Sequence, residues 1–343
     1  MPLPASLAER LRIPVVASPM FIISGPDLVI AQSVSGVIGS FPSLNARPQS
    51  MLSEWLNQIN TALAKHDASH PERLAAPYAV NLIVHRSNDR LDADLATIVD
   101  FEVPIVITSL GARPDVNDAV HSYGGIILHD VTTNQYAQKA VAKGADGLIA
   151  VAAGAGGHAG VQSPFALVRE IRAWFDGPLL LSGSISHGSS ILGARAIGAD
   201  MAYVGSAFIA THEANADHTY KQMIVDSSAS DIVYSDYFTG VHGNYLRDSI
   251  ITAGLDPDGL AHLSSGEIDF ASTVDTEKPQ APQPWRDVWG AGQGIGAVRR
   301  LESTAEVVKR LSSEYDRAKH ELLRQIYPPV GDARSEPQGV TRV

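Results

Sequence analysis

Eight short apolar runs rich in β-branched residues recur through the first 209 residues, each followed by a stretch long enough for a helix or a turn. That alternation limits the fold more than any other feature of the chain. The runs lie at 14–19, 37–41, 78–84, 105–110, 125–131, 147–153, 179–185 and 201–209. Between them 26–35, 51–64, 89–100, 132–143, 164–175 and 189–197 read as helices. Several exit through a glycine, as in Lys143-Gly144-Ala145-Asp146 and Ile197-Gly198-Ala199-Asp200, the pattern of a helix C-terminus. Strands apolar on both faces imply a parallel sheet covered on both sides. Eight strand–helix units in sequence predict a closed (β/α)8 TIM barrel. An open doubly wound sheet is the alternative, but it wants a glycine fingerprint after the first strand, where Pro19-Met20-Phe21 stands.

After Ile209 the pattern breaks. Residues 211–230 read as a helix, 234–247 as a polar loop, and 254–283 is rich in Asp, Gly, Ser and Pro. The expectation is a smaller, mainly helical lid-like insertion over 211–285, after strand 8, that covers the barrel mouth. Residues 1–210 and 286–327 would form the barrel, with 288–296 returning to the site and 303–325 a long amphipathic helix. Residues 328–343 read as a flexible tail.

The chain has no cysteine, which excludes disulfides, thiolate metal sites, iron–sulfur clusters and cysteine nucleophiles. A net charge of −11 with scattered basic residues argues against a nucleic-acid or membrane partner. No HxH or HExxH pair occurs, so no metal site is expected. With no apolar run of membrane-spanning length, a soluble cytoplasmic protein is the expectation. The sequence leaves open whether it forms a homo-oligomer.

In such a barrel the site lies at the C-terminal strand ends. The run 152–160 ends the sixth strand with four glycines and one imidazole, His158, and no bulky neighbour to pack it. His158 is therefore the leading catalytic candidate. Gly183 and Gly205, with Ser182, Ser184 and Ser206, form small turns after strands seven and eight, the usual phosphate place in this architecture. No Arg or Lys stands close in sequence, so an anion there would rest on backbone dipoles and hydroxyls. His129, at the fifth strand end, is a candidate substrate contact or a hydrogen-bonding neighbour of one. His242 and Tyr245, in the insertion, are candidate substrate contacts at the mouth.

These motifs together resemble the nitronate monooxygenase family, formerly the 2-nitropropane dioxygenases. The resemblance runs from Ala17-Ser18-Pro19-Met20 through 78–82, Gly156-Gly157-His158-Ala159-Gly160, 182–185, 198–200 and 204–208, to 240–247 and Trp289-Gly290-Ala291-Gly292-Gln293-Gly294. It implies an FMN-binding barrel whose small-molecule substrate, an alkyl nitronate or nitroalkane, is oxidised with O2 to a carbonyl compound and nitrite. By the same resemblance His158 is the base beside the flavin or a nitronate-binding residue. Pro19, Met20 and Asn81 would contact the isoalloxazine, with Gly156 and Gly157 giving close backbone approach. Ser182, Gly183, Ser184, Gly205 and Ser206 would hold the phosphate, and Gly292 and Gln293 would close over the cofactor. Two positions depart from the family pattern. Ala159 stands where Arg is frequent, and Gly205-Ser206-Ala207-Phe208 replaces Gly-Thr-Arg-Phe. Relatives on this scaffold also include FMN-dependent NAD(P)H oxidoreductases of the enoyl-ACP reductase and quinone reductase types, which stand as the alternative.

Overall fold

The computed structural model describes residues 8–260 and 284–327. The part of the expected insertion at 261–283 and the expected tail at 328–343 lie outside the described residues. Eight parallel strands form one sheet: β1 (Val15–Ala17), β2 (Gly39–Pro42), β3 (Tyr78–Ile83), β4 (Ile105–Ser109), β5 (Ile126–Val131), β6 (Gly147–Val151), β8 (Leu179–Ser182) and β9 (Met201–Val204). A short strand, β7 (Gly157–His158), follows β6 and belongs to a separate sheet. The order β1-β9-β8-β6-β5-β4-β3-β2 runs round a ring. A parallel bridge between Val16 and Ile38 closes it, with Ala17 N donating to Ile38 O at 2.8 Å and Ile38 N to Val15 O at 3.1 Å. The (β/α)8 barrel is therefore a fact of the structure.

Helices return the chain between strands: α1 (Pro26–Ser35), α2 (Met51–Ser69), α3 (Leu91–Asp100), α4 (Pro114–His121), α5 (Asn134–Ala142), α6 (Pro164–Arg172) and α7 (Gly188–Ala196). Prolines begin α1, α4 and α6, where the missing N–H costs nothing. The remaining helices are α8 (Ser206–Ile209), α9 (His218–Asp226), α10 (Arg247–Thr252) and α11 (Thr304–Ile326). A capping box between Ser303 and Glu306 starts α11, which packs against α1 and α7.

The alternation of side chains along each strand divides the core in two. Val16, Ile38, Ala79, Ile105, Ile107, Leu128, Ile149, Leu180, Met201 and Tyr203 fill the barrel. Their strand neighbours, such as Val15, Val80, Val106, Ile127 and Leu181, face the helices. Each fully buried aliphatic side chain contributes roughly 1.5–3 kcal/mol, which makes the ring a rigid platform. At the C-terminal ends the interior positions change character. The next inward residues after Ile107 and Leu128 are Ser109 and Asp130, and the apolar plug gives way to a polar floor.

Several elements differ from the sequence reading. The seventh and eighth barrel strands stop at Ser182 and Val204, because Gly183 (φ 130°) and Ser184 (φ 58°) leave extended backbone and Ser206–Ile209 turns helical. The helix that follows β4, for which the sequence reading named no bounds, is Pro114–His121. Within 211–230 only His218–Asp226 is α-helical, with a short 3-10 turn starting at Ala229. The expected polar loop at 234–247 is instead largely a hairpin of β10 (Ile232–Ser235) and β11 (Gly243–Leu246). Tyr245 on β11 turns into a small core with Ile250, Leu260 and Val288, and that burial outweighs the glycines and polar residues around it. β11 then pairs antiparallel with β7, Gly243 opposite His158. The excursion is thus stitched to the barrel through the glycine–histidine run itself. No helix among the described residues is long and apolar enough to cross a membrane.

Candidate active site

A cavity of about 780 Å³ opens at the C-terminal strand ends. Pro19, Met20, Asn81, Gly156, Gly157, Ser182, Gly183, Ser184, Gly205, Ser206 and Gly292 all line it, as do His158 and His129. Six separate strand ends and the late segment 290–294 therefore converge on one space.

One end of the cavity is walled by backbone. A Cβ on Gly183 would sit 2.8 Å from the Ala153 carbonyl oxygen, at a φ that L side chains rarely adopt. A Cβ on Gly292 would lie 2.8 Å from Gly154 O and 3.0 Å from Gly156 N. Segments 154–157, 183–184 and 291–294 thus interlock at a spacing that only glycine permits. Gly154 O accepts from both Ser184 N (3.2 Å) and Gln293 N (2.9 Å), and Gly292 N donates to Ser206 Oγ at 2.9 Å. The lysines on the cavity wall, Lys139 and Lys143, come from α5 and the residue after it, away from these turns in the ring of elements. An anion held at 183–206 would meet amides and hydroxyls.

His158 sits on β7, half-buried, where the excursion meets the barrel. Its ring stands edge-on to Trp285, centroids 5.6 Å apart at 88°. Nε2 lies 3.1 Å from Thr239 Oγ1, and that hydroxyl gives its own proton to Val241 O at 3.0 Å. With Thr239 accepting, Nε2 carries the imidazole hydrogen and the lone pair resides on Nδ1. Burial pushes the His158 pKa down to about 4, so the ring is neutral at pH 7.

The floor is polar. Asn81 Nδ2 donates to Ile107 O (2.9 Å) and Ser109 Oγ (2.8 Å), and Ser109 Oγ donates to Asp130 Oδ2 (2.5 Å). Burial raises Asp130 to about 6, opposed by the Ser109 hydrogen bond. Tyr203 shares the barrel interior and is raised further still by burial and by the Asp130 charge. His129, by alternation, points towards the helix layer, on the side of the cavity that Lys139 and Lys143 line. Its Nδ1 meets Thr108 Oγ1 at 2.6 Å, and burial, helped by Lys143, lowers its pKa to about 4.

Three expected site residues fall elsewhere. Gln293 is exposed, its side chain against the Gly154 position and outside the cavity lining, although Gly292 and Gly294 on either side line it. His242 points outward, half its side chain exposed, stacked on Tyr234 and 3.9 Å from Asp236. Tyr245 is fully buried behind Trp285 and does not reach the cavity. The alternation along β11 turns Tyr245 into the small core of the excursion. The residues the sequence reading missed are Thr239 and Trp285. Ser109 and Asp130 read from the sequence as strand-end residues at the site without a role, and they continue the inward-facing phase of Ile105-x-Ile107 and Ile126-x-Leu128. Thr239 and Trp285 carried no signal, since their contact with His158 spans dozens of residues.

The chain matches the nitronate monooxygenase family over residues 6–314 and belongs to it. That family is one of flavin-dependent oxidoreductases. A monooxygenase of Mycobacterium tuberculosis is 27% identical over 62% of this chain, a match that takes in 60% of that protein, under two thirds of its length. The nitronate monooxygenase of Paraburkholderia phytofirmans is 26% identical over 78% of this chain and 74% of that protein. That of Pseudomonas aeruginosa is 25% identical over 88% and 95%. Among solved structures, the nitroalkane oxidase of Streptomyces ansochromogenes superposes with a TM-score of 0.72 at 21% identity, covering 93% of this chain and all of that one. FabK of Thermotoga maritima gives the same TM-score at 19% identity, over 93% and 98%. Both structural likenesses speak for the fold.

Proposed function

We propose that this protein is an FMN-dependent oxidase of alkyl nitronates and nitroalkanes, producing a carbonyl compound and nitrite with O2. The observation that carries this reading is a neutral imidazole, His158, facing a glycine-walled cavity large enough for a cofactor and a small substrate together. The residues present fit FMN. Gly183 and Gly292 pack against backbone that a Cβ would strike, and the turns at 183–184 and 205–206 bring backbone and hydroxyls to the cavity wall, neutral groups suited to a phosphate. Bound there, FMN would take electrons from the substrate and pass them to O2.

The chain's own residues bind, orient and move a proton. A nitroalkane is a carbon acid, and the neutral imidazole of His158 accepts its α-proton. An imidazolium would be the better anchor for a preformed nitronate, so a depressed pKa favours the base role. Thr239 fixes the tautomer from the excursion side. Trp285 covers the ring and narrows the approach of water, and the excursion acts as the lid.

The test is direct. Flavin released by heat should be FMN, and an oxygen electrode should record uptake with an alkyl nitronate, with nitrite formed and no pyridine nucleotide needed. No uptake, together with anaerobic bleaching of the flavin by NAD(P)H, would move the protein to the NAD(P)H oxidoreductase class.

A further inference from the structure

At the cavity floor the hydrogens can be counted one by one. Asn81 Nδ2 has two, one given to Ile107 O and one to Ser109 Oγ. The Ile107 carbonyl can only accept, so the amide atom beside it must be the nitrogen. Ser109 Oγ has a single hydrogen and, while accepting from Asn81, gives it to Asp130 Oδ2. Donation thus runs in one direction, Asn81 to Ser109 to Asp130, and ends on a carboxylate whose Oδ1 is buried without a partner. Asn81 has no hydrogen left for the cavity it lines. It presents only its carbonyl oxygen.

We propose that Asp130, acting through Ser109, is a positioning residue that fixes Asn81 as an acceptor for the ring N–H of the cofactor. The inference rests on the flavin reading above. The pyrimidine edge of a flavin carries one N–H, at N3, flanked by two carbonyls, so an acceptor-only group there is selective for that hydrogen. Without the pull of Asp130 the Ser109 hydroxyl is free to donate to Asn81, which draws the amide oxygen inward and turns its nitrogen to the cavity. Ile107 O resists that rotation, so Asp130 is the second of two anchors. The polarity also divides the cavity. Negative charge at this floor repels a phosphate, which leaves the neutral donors at 183–206 as the anionic end.

The experiment compares binding of FMN with that of 3-deaza-FMN, in which C–H replaces the N3–H, by fluorescence titration of the deflavinated protein. In the wild type FMN should bind about tenfold or more tightly, the weight of one hydrogen bond plus an unsatisfied acceptor. Asp130→Ala should cut that preference to about threefold or less, and Asp130→Asn, whose amide oxygen can accept from Ser109, should restore it. A merely structural role weakens both flavins equally, so an unchanged ratio in Asp130→Ala overturns the proposal. If that variant does not fold, Asp130→Leu, of similar size and without an acceptor for Ser109, is read the same way. Equal binding of the two flavins by the wild type overturns the proposal and leaves the FMN reading standing. Failure of the wild type to bind FMN overturns both.

Discussion

Burial of His158 makes a sharp kinetic prediction. An imidazole with its pKa at the usual 6.5 is roughly one-tenth neutral at pH 5.5, whereas one held at about 4 is almost wholly neutral there. Lowering the pH from 7.5 to 5.5 should therefore leave the base intact, with kcat/KM on a neutral nitroalkane roughly tenfold above what an unperturbed histidine would allow. Asp130, at about 6, titrates in the same window, so the wild-type profile is divided by that of His158→Asn, which keeps the Asp130 response and lacks the base.

That variant should retain flavin, because asparagine keeps the backbone of β7 and the cradle lies on other segments. Its kcat/KM on a neutral nitroalkane should fall by about 10²–10⁴-fold, or roughly 3–5 kcal/mol of barrier. Preformed nitronates, which have already lost the proton, should lose much less. Stopped-flow flavin reduction under anaerobic conditions reads both substrates. An inflection near pH 6.5 in the divided profile would refute the burial argument, and equal losses on nitroalkane and nitronate would refute the base assignment.

The other expectations are briefer. His158 and His129 both fall from 6.5 to about 4 on folding, so the stability they contribute is complete above pH 6.5 and is lost as the pH drops towards 4. Asp130, raised from 3.8 to about 6, works in the opposite sense, and the net loss between pH 7 and 4.5 should be about 3 kcal/mol by urea unfolding. A flat stability profile would contradict these shifts. Gly205→Asp has room, its Cβ 3.4 Å from that of Ser18, so the chain should fold yet purify with little flavin, because a carboxylate would face the phosphate; stoichiometric flavin would remove Gly205 from that end. Thr239→Val deletes the hydroxyl that holds Nε2 and should lower kcat by about tenfold without changing flavin affinity, while His242→Ala, whose ring points outward, should leave both kcat and KM unchanged.

What could be read from the sequence tracks how local each signal is. The barrel strands are continuous apolar runs, and the helices carry their own boundaries, such as the proline that opens α1 and the Gly36 that ends it, so eight units could be counted without knowing their partners. The glycine–histidine run announced itself because glycines cluster only where backbones meet, and Gly292 against Gly154 is such a meeting. Asp130 is different. It reads as polar punctuation at the end of a strand until the closed ring fixes which face of Ile126-x-Leu128-x-Asp130 turns inward. The hairpin at 232–246 is the extreme case. Its partner strand, Gly157–His158, lies more than seventy residues earlier, and without that pairing Gly240, Gly243 and Asn244 look like a loop.

That pairing has a mechanical consequence. His158 is both the candidate base and a rung of the three-stranded sheet, with Ala159 N donating to His242 O on one side and the imidazole meeting Thr239 on the other. Trp285, on the segment that leads back to the barrel, leans on the same ring. A displacement of the excursion therefore moves the imidazole, its tautomer-fixing hydroxyl and its cover together. In most barrel enzymes a lid can open over a base that stays where the strand end put it. On the proposed reading the candidate base moves with the lid, so opening for substrate entry would take it out of register and proton removal would require the closed cavity.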